Sequence, residues 1–183
     1  MIYLASYKPG GSLYNREREH VLGRSLLNFG LMKEYGRTWE IERETGSKPC
    51  LKGAEGVEFN ISHTKGLVVC AVADRELGVD TEQIRPFKSS LMRRVCSGAE
   101  RGFVLAGRSE AKQQERFFRL WTLKESFVKA IGRGLAFPLR DITFSLEEGV
   151  IKGSIPGWQF YQSRVYQSYI ISVCVADEKG EAV

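Results

Sequence analysis

Histidine is almost missing from this chain: there are two, His20 and His63. Cysteine is sparse too, with Cys50, Cys70, Cys96 and Cys174 scattered and no C-x-x-C spacing. A zinc site and a disulfide framework are both excluded on that pattern. Cys70 and Cys174 lie in apolar runs, where cysteine acts as a small hydrophobe. No apolar run approaches the roughly 18 residues a membrane span needs. The opening "MIYLASYKPGG" lacks a basic region and a long apolar stretch, so no signal peptide is expected, and the expected location is the cytoplasm. There is no dense Lys/Arg run and no helix-turn-helix, zinc-finger or RNP pattern, so no nucleic-acid partner is expected. A phosphate-binding P-loop, G-x-G-x-x-G, the kinase motif set and G-x-S-x-G are absent as well.

What is present suits one sizeable core, or two small cores packed as a unit: 183 residues, 43% of them hydrophobic. The formal charge is 27 − 22 = +5. Such a surface favours an anionic ligand or an acidic partner protein.

The patterning predicts an α+β fold. "IYLASY" reads as a strand. Residues 15–35 read as a helix capped by Asn15, with Val21, Leu22, Ser25, Leu26, Phe29 and Met32 on its buried stripe. "VEFNIS" is a strand. "GLVVCAVA" and "ELGVDTE" read as a hairpin turning at Asp74-Arg75. Residues 86–114 are mixed and polar, expected as short helices and loops. A helix spans 117–132, and alternating antiparallel strands follow it. "VVCAVADRE" at 68 is echoed by "ISVCVADEK" at 171, an offset of 171 − 68 = 103. Either two α+β halves arose by duplication, or two strands share a common composition. A cleft between paired halves is a usual place for a ligand.

Three stretches carry chemistry. In "GVDTEQ", Asp80 and Glu82 stand two apart on a strand and share a face. They form either a solvated strand end or a pair gathered around a cation. In "FFRLWTLKESFVKAIG", Phe117, Leu120, Trp121, Phe127, Val128 and Ile131 make one apolar stripe with Lys124 in its middle. A lysine there is expected to bury its stem and send its ammonium to a carboxylate or to a ligand at the cleft. Glu125 and Lys129, four apart on the flank, are either a surface ion pair or part of a site. Asp80, Glu82 and Glu125 together are an oxygen-only donor set, which suits Mg²⁺, with Mn²⁺ open. "FNISHT" offers Asn60, Ser62, His63 and Thr64 at a strand end, either as a hydrogen-bonded turn or as a phosphate seat. "GSKPC" adds Lys48 on the stiff Pro49.

Together "KP" (48–49), "FNISH" (59–63), "GVDTE" (78–82), "WTLKESFVKA" (121–130) and "GRGL" (132–135) resemble the Sfp-type 4'-phosphopantetheinyl transferases in order and spacing, over roughly residues 44–145. The resemblance implies two similar α/β halves, 1–84 and 85–183, in one two-lobed and monomeric unit with the site in the cleft between them. It implies transfer of phosphopantetheine from coenzyme A to a serine of an apo acyl or peptidyl carrier protein, with release of 3',5'-ADP. Asp80, Glu82 and Glu125 would hold Mg²⁺, and Lys129 would contact the phosphates. Lys48, Pro49, Ser62, His63 and Thr64 would hold the adenosine end, His63 on the 3'-phosphate. Glu100, in "CSGAERGF", falls near a family acid thought to help deprotonate the serine, with Glu125 or a metal-bound water as the alternatives. The arginine the family carries in the first helix has no aligned counterpart: Arg16 and Arg18 are nearest, and Glu19 and His20 fill the neighbourhood. A non-catalytic carrier- or nucleotide-binding relative and an unrelated Mg²⁺-dependent phosphohydrolase are the competing readings.

Overall fold

The computed structural model describes residues 1–44, 46–134, 137–147 and 150–177, with the backbone alone for 12–14. Leu135 of "GRGL" and the last two residues of the 171 echo lie outside the described residues.

Two three-stranded antiparallel sheets carry the fold. In the first, β5 (Leu67–Ala73) lies between β1 (Ile2–Ser6) and β4 (Glu58–Thr64). In the second, β10 (Tyr169–Ala176) lies between β6 (Leu77–Gln83) and β9 (Trp158–Val165). Each sheet places its opening strand beside its last strand, and a long helix comes between: α1 (Ser12–Tyr35) in the first, α4 (Glu110–Ala130) in the second. The echoed segments are the two central strands. The matching strand order favours duplication over shared composition.

Strand alternation sends Leu67, Val69 and Ala71 toward Leu77, Val79, Ile171 and Val173, so the two sheets pack face to face. The opposite face of β5, with Cys70 and Val72, packs on Leu27 and Leu31 of α1. The opposite face of β10, with Ile170 and Cys174, packs on α4 through Phe117, Leu120, Phe127 and Val128. Between β6 and α4 lie α2 (Ser89–Val95) and α3 (Gly98–Leu105), the short helices expected over 86–114. The small hairpins β2–β3 (Ile41–Glu42, Cys50–Leu51) and β7–β8 (Phe144–Glu147, Val150–Gly153) complete the described elements.

Four expectations are corrected. β5 and β6 are not a hairpin: β1 and β4 already occupy both edges of β5, so the turn at Asp74-Arg75 hands the chain to the second sheet. β6 therefore pairs with β10 although it precedes residue 84. On α1, Val21, Phe29 and Met32 are exposed, and the buried stripe is Gly23, Leu27, Gly30 and Leu31. A Cβ on Gly30 would stand 2.7 Å from the Tyr3 ring, so the helix approaches the sheet through its glycines, not through its largest side chains. Asn15 does not cap α1, whose N-cap is Gly11. Its amide instead bonds Gly10 twice, accepting from the N–H at 2.7 Å and donating to the carbonyl at 3.1 Å. The second long helix starts seven residues earlier than its apolar stripe, at a polar turn capped by Ser109.

Candidate active site

β4 and β6 are edge strands of different sheets lying side by side, and side chains stitch them together. Asn60 Oδ1 accepts from the Val79 N–H at 3.0 Å, and Ser62 Oγ accepts from the Thr81 N–H at 3.2 Å. Side chains thus take these two edge N–H groups in place of a backbone ladder. α4 crosses β6 at Gly78, where a Cβ would be 2.0 Å from the Ser126 carbonyl oxygen. That contact brings Glu125 and Lys129 over the seam.

At its centre, Lys129 Nζ donates to Asp80 Oδ1 at 2.6 Å and to Ser62 Oγ at 2.8 Å. Ser62 Oγ donates to the same Asp80 oxygen at 3.0 Å. Asp80 Oδ2 and Glu125 Oε1 are buried with no hydrogen-bond partner. Burial first, then the Asp80 charge, pushes the Glu125 carboxyl up to about 7. Glu82 is also raised by burial, against the pull of Arg85. Arg85 lies 2.6 Å from Glu82 Oε2 and over the Phe118 ring, and Thr64 donates to the same oxygen at 3.5 Å.

Asp80 and Glu125 fit a hard cation, because each offers a buried oxygen with nothing to bind. Among the described residues no three acid, histidine or cysteine side chains stand in a ready-made ligand arrangement, since Glu82 is turned to Arg85.

The remaining expected residues lie apart from this centre. His63 Nδ1 faces Glu19 on α1 at 3.0 Å, and Glu19 also accepts from the Tyr7 hydroxyl. Partial burial holds the imidazole below its ordinary range while Glu19 pulls it back. Lys48 and Pro49 line a cavity of about 460 Å³ at the other end of the seam, beside Gly132. Lys48 Nζ is spent there on Glu58 and on the Leu77 carbonyl, each at 2.9 Å. Glu100 is not at the seam: it is buried among α2, α3 and α4, bonded to Lys124 at 2.6 Å. Lys124 does reach a carboxylate, as its place on the stripe implied, but in the core and not at the cleft. The reading from sequence missed Arg85, whose signal was a cation three residues after Glu82, and Arg94, which bears on Glu125 from α2.

A pH dependence follows for the metal-free protein. The folded state keeps the Glu125 proton up to about 7, whereas the ordinary value is 4.5. The folded state thus binds more protons in that window, and stability falls as pH rises through it. Urea midpoints measured from pH 4.5 to 7.5 should show wild type losing more stability than Glu125→Gln. Parallel curves would remove Glu125 as a perturbed group.

A protein-family model, that of the 4'-phosphopantetheinyl transferase superfamily, matches residues 76–174. The chain belongs to this superfamily. The match takes in Asp80, Glu82, Glu125 and Lys129 of the seam. The chain is similar to the 4'-phosphopantetheinyl transferase Sfp of Bacillus subtilis, 31% identical over 140 residues, which are 76% of this chain and 57% of that protein. A second Bacillus subtilis 4'-phosphopantetheinyl transferase is 30% identical over 173 residues, 89% of this chain and 77% of its own. HetI of Nostoc is 34% identical over 161 residues, covering 84% and 67%. The chain thus spans from 57% to 77% of the length of these three relatives. The crystal structure of Thermotoga maritima holo-[acyl-carrier-protein] synthase aligns over 58% of this chain and 66% of its own, at 19% identity and TM-score 0.47. No described helix is long and apolar enough to cross a membrane.

Proposed function

We propose that this chain transfers the 4'-phosphopantetheine group of coenzyme A to a serine of an apo acyl or peptidyl carrier protein and releases 3',5'-ADP. The observation that carries the reading is the Ser62–Asp80–Lys129 cluster with the two unpartnered oxygens of Asp80 and Glu125, of which Asp80, Glu125 and Lys129 fall within the superfamily match. The serine oxygen forms a bond to the β-phosphorus of coenzyme A, and the bond from that phosphorus to the bridging oxygen of the pyrophosphate breaks. Lys129 holds the phosphates and offsets the charge gathering on the departing one. The serine is a weak nucleophile and needs a proton acceptor. The acceptor is Glu125 through the oxygen that does not hold the cation, or a water that the cation would hold. Asp80, Glu82 and Glu125 would hold Mg²⁺, or Mn²⁺, which supplies charge neutralisation on the pyrophosphate. For Glu82 this means leaving Arg85.

The adenosine end lies along the seam. Ser62, His63 and Thr64 take phosphate at one end, and Lys48 and Pro49 flank the cavity at the other. Lys48 serves there through its stem and backbone, since its ammonium is engaged. On the carrier side, a groove of about 510 Å³ is lined by Arg94, Arg140, Ser97, Gly98, Pro138 and Asp141. Two arginines in this groove, of which Arg94 bears on Glu125, suit an acidic protein acceptor. The two halves act as one monomeric unit in the cytoplasm.

Purified protein, coenzyme A, Mg²⁺ and a panel of apo carriers should give a mass gain of one phosphopantetheine on at least one carrier. If carriers of fatty-acid and peptide synthesis alike stay unmodified, the reading fails. Release of inorganic phosphate without any carrier would favour a phosphohydrolase. The double variant Arg94→Glu/Arg140→Glu should raise KM for the carrier about tenfold or more and leave KM for coenzyme A unchanged, since about 1.4 kcal/mol of lost attraction is one decade. An unchanged carrier KM would take the groove out of acceptor binding.

A further inference from the structure

Lys124 is fully buried. Its ammonium donates to the Val95 carbonyl at 2.7 Å, to Glu100 Oε2 at 2.6 Å and to the Leu139 carbonyl at 3.1 Å. An ammonium has three donors, so all are used. Glu100 is 3% exposed. Its Oε2 also accepts from the Ser97 N–H at 2.8 Å, and its Oε1 accepts from the Phe144 N–H at 2.9 Å. A proton acceptor for an incoming hydroxyl must come within hydrogen-bond reach of it. This carboxylate is sealed away from the cleft and already bonded on both oxygens.

The atoms gripped by the pair fall beside the walls of the basic groove. Val95 follows Arg94. Leu139 lies between Pro138 and Arg140. Ser97 and Gly98 open α3. Five of these wall residues are thus held from behind at their own backbone or at an adjacent residue. Glu125, one residue along α4 from Lys124, is turned by about 100° and faces the seam instead.

We propose that Lys124 and Glu100 form a positioning clasp that sets the groove walls for the protein acceptor, and that neither exchanges a proton with it. The proposal rests on the transferase reading only through the identity of the acceptor.

The test compares wild type with Glu100→Gln, Lys124→Met and the double variant Glu100→Leu/Lys124→Met. Each single change leaves a buried charge uncompensated, so both should lower Tm, and the double, which removes both charges but still frees the four backbone groups, should recover part of that loss. In the double variant, KM for the carrier should rise at least tenfold. KM for coenzyme A, the shape of the pH–rate profile and kcat at saturating carrier (within threefold) should stay as in wild type. A kcat loss of a hundredfold or more with carrier KM unchanged, or a missing acid limb in the pH profile, makes Glu100 the proton acceptor and overturns the proposal. Wild-type constants throughout in the double variant make the pair merely structural and overturn it too. If wild type modifies no carrier, the transferase reading falls by itself. The clasp is then judged by amide hydrogen exchange: Val95–Gly98 and Leu139–Asp141 should exchange faster in the double variant, and equal rates overturn it.

Discussion

Asp80→Asn should lower kcat/KM for carrier modification by a hundred- to a thousandfold, on the order of what is lost with one preorganised transition-state partner. Asp80 does two jobs at the seam. Its Oδ1 holds Lys129 and Ser62 in place. Its Oδ2 is the buried, unpartnered oxygen that a cation would take. The amide keeps the shape and loses the charge. Lys129 is left with neutral acceptors only, and the cation site drops to two carboxylates, Glu82 and Glu125. In the metal-free protein the loss of the Lys129 ion pair is offset in part by relief of Glu125, which the Asp80 charge helps to raise. The expected signature is therefore a collapse in rate with only a small change in Tm. Activity within threefold of wild type would remove Asp80 from the chemistry.

Gly78→Ala should abolish the fold rather than the chemistry. A Cβ there would be 2.0 Å from the Ser126 oxygen and 2.5 Å from the Ala130 nitrogen. Both are helix backbone, so no side chain can swing away. Ordinary overpacking costs about 1–3 kcal/mol. Moving a helix of 21 residues off its sheet exceeds that range. A loss above about 4 kcal/mol is a large part of a total stability of roughly 5–15 kcal/mol. Gly102→Ala is the control: no atom outside its own helix neighbourhood comes within 4 Å of a Cβ there. Alanine in that helix should be neutral or stabilise by up to about 1 kcal/mol. Urea denaturation of the pair measures the contrast, and a well-folded Gly78→Ala protein would show that α4 is not held where it appears.

What could be read from the residues was what short spacings encode. Asp80 and Glu82 at two apart, Glu125 and Lys129 at four apart, and the apolar stripe around Phe117 all rest on local periodicity. The approach of Lys129 to Ser62 joins residues 67 apart in the chain, and no local pattern signals it. Lys124 announced itself only as a misplaced charge, because its partner is 24 residues away on another helix. α1 was misread for a different reason. Its packing face is defined by Gly23 and Gly30, which contribute nothing to a hydrophobic pattern. β5 and β6 looked like a hairpin because both are apolar and close in sequence. What decides the matter is that β5 has no edge to spare, a property of the sheet and not of the strand.

The pairing of β6 with β10 has a consequence for synthesis. Val79 waits for Val173, which leaves the ribosome 173 − 79 = 94 residues later. At 5–20 residues per second that is a delay of about 5–20 s. For that time the strand carrying Asp80 and Glu82 has no ladder partner on its β10 side. The nascent chain has therefore already made all of the seam's functional side chains, the last being Lys129, well before it can hold them in place. A ribosome-stalled chain that ends before Tyr169 should carry every group the chemistry needs and still be inert.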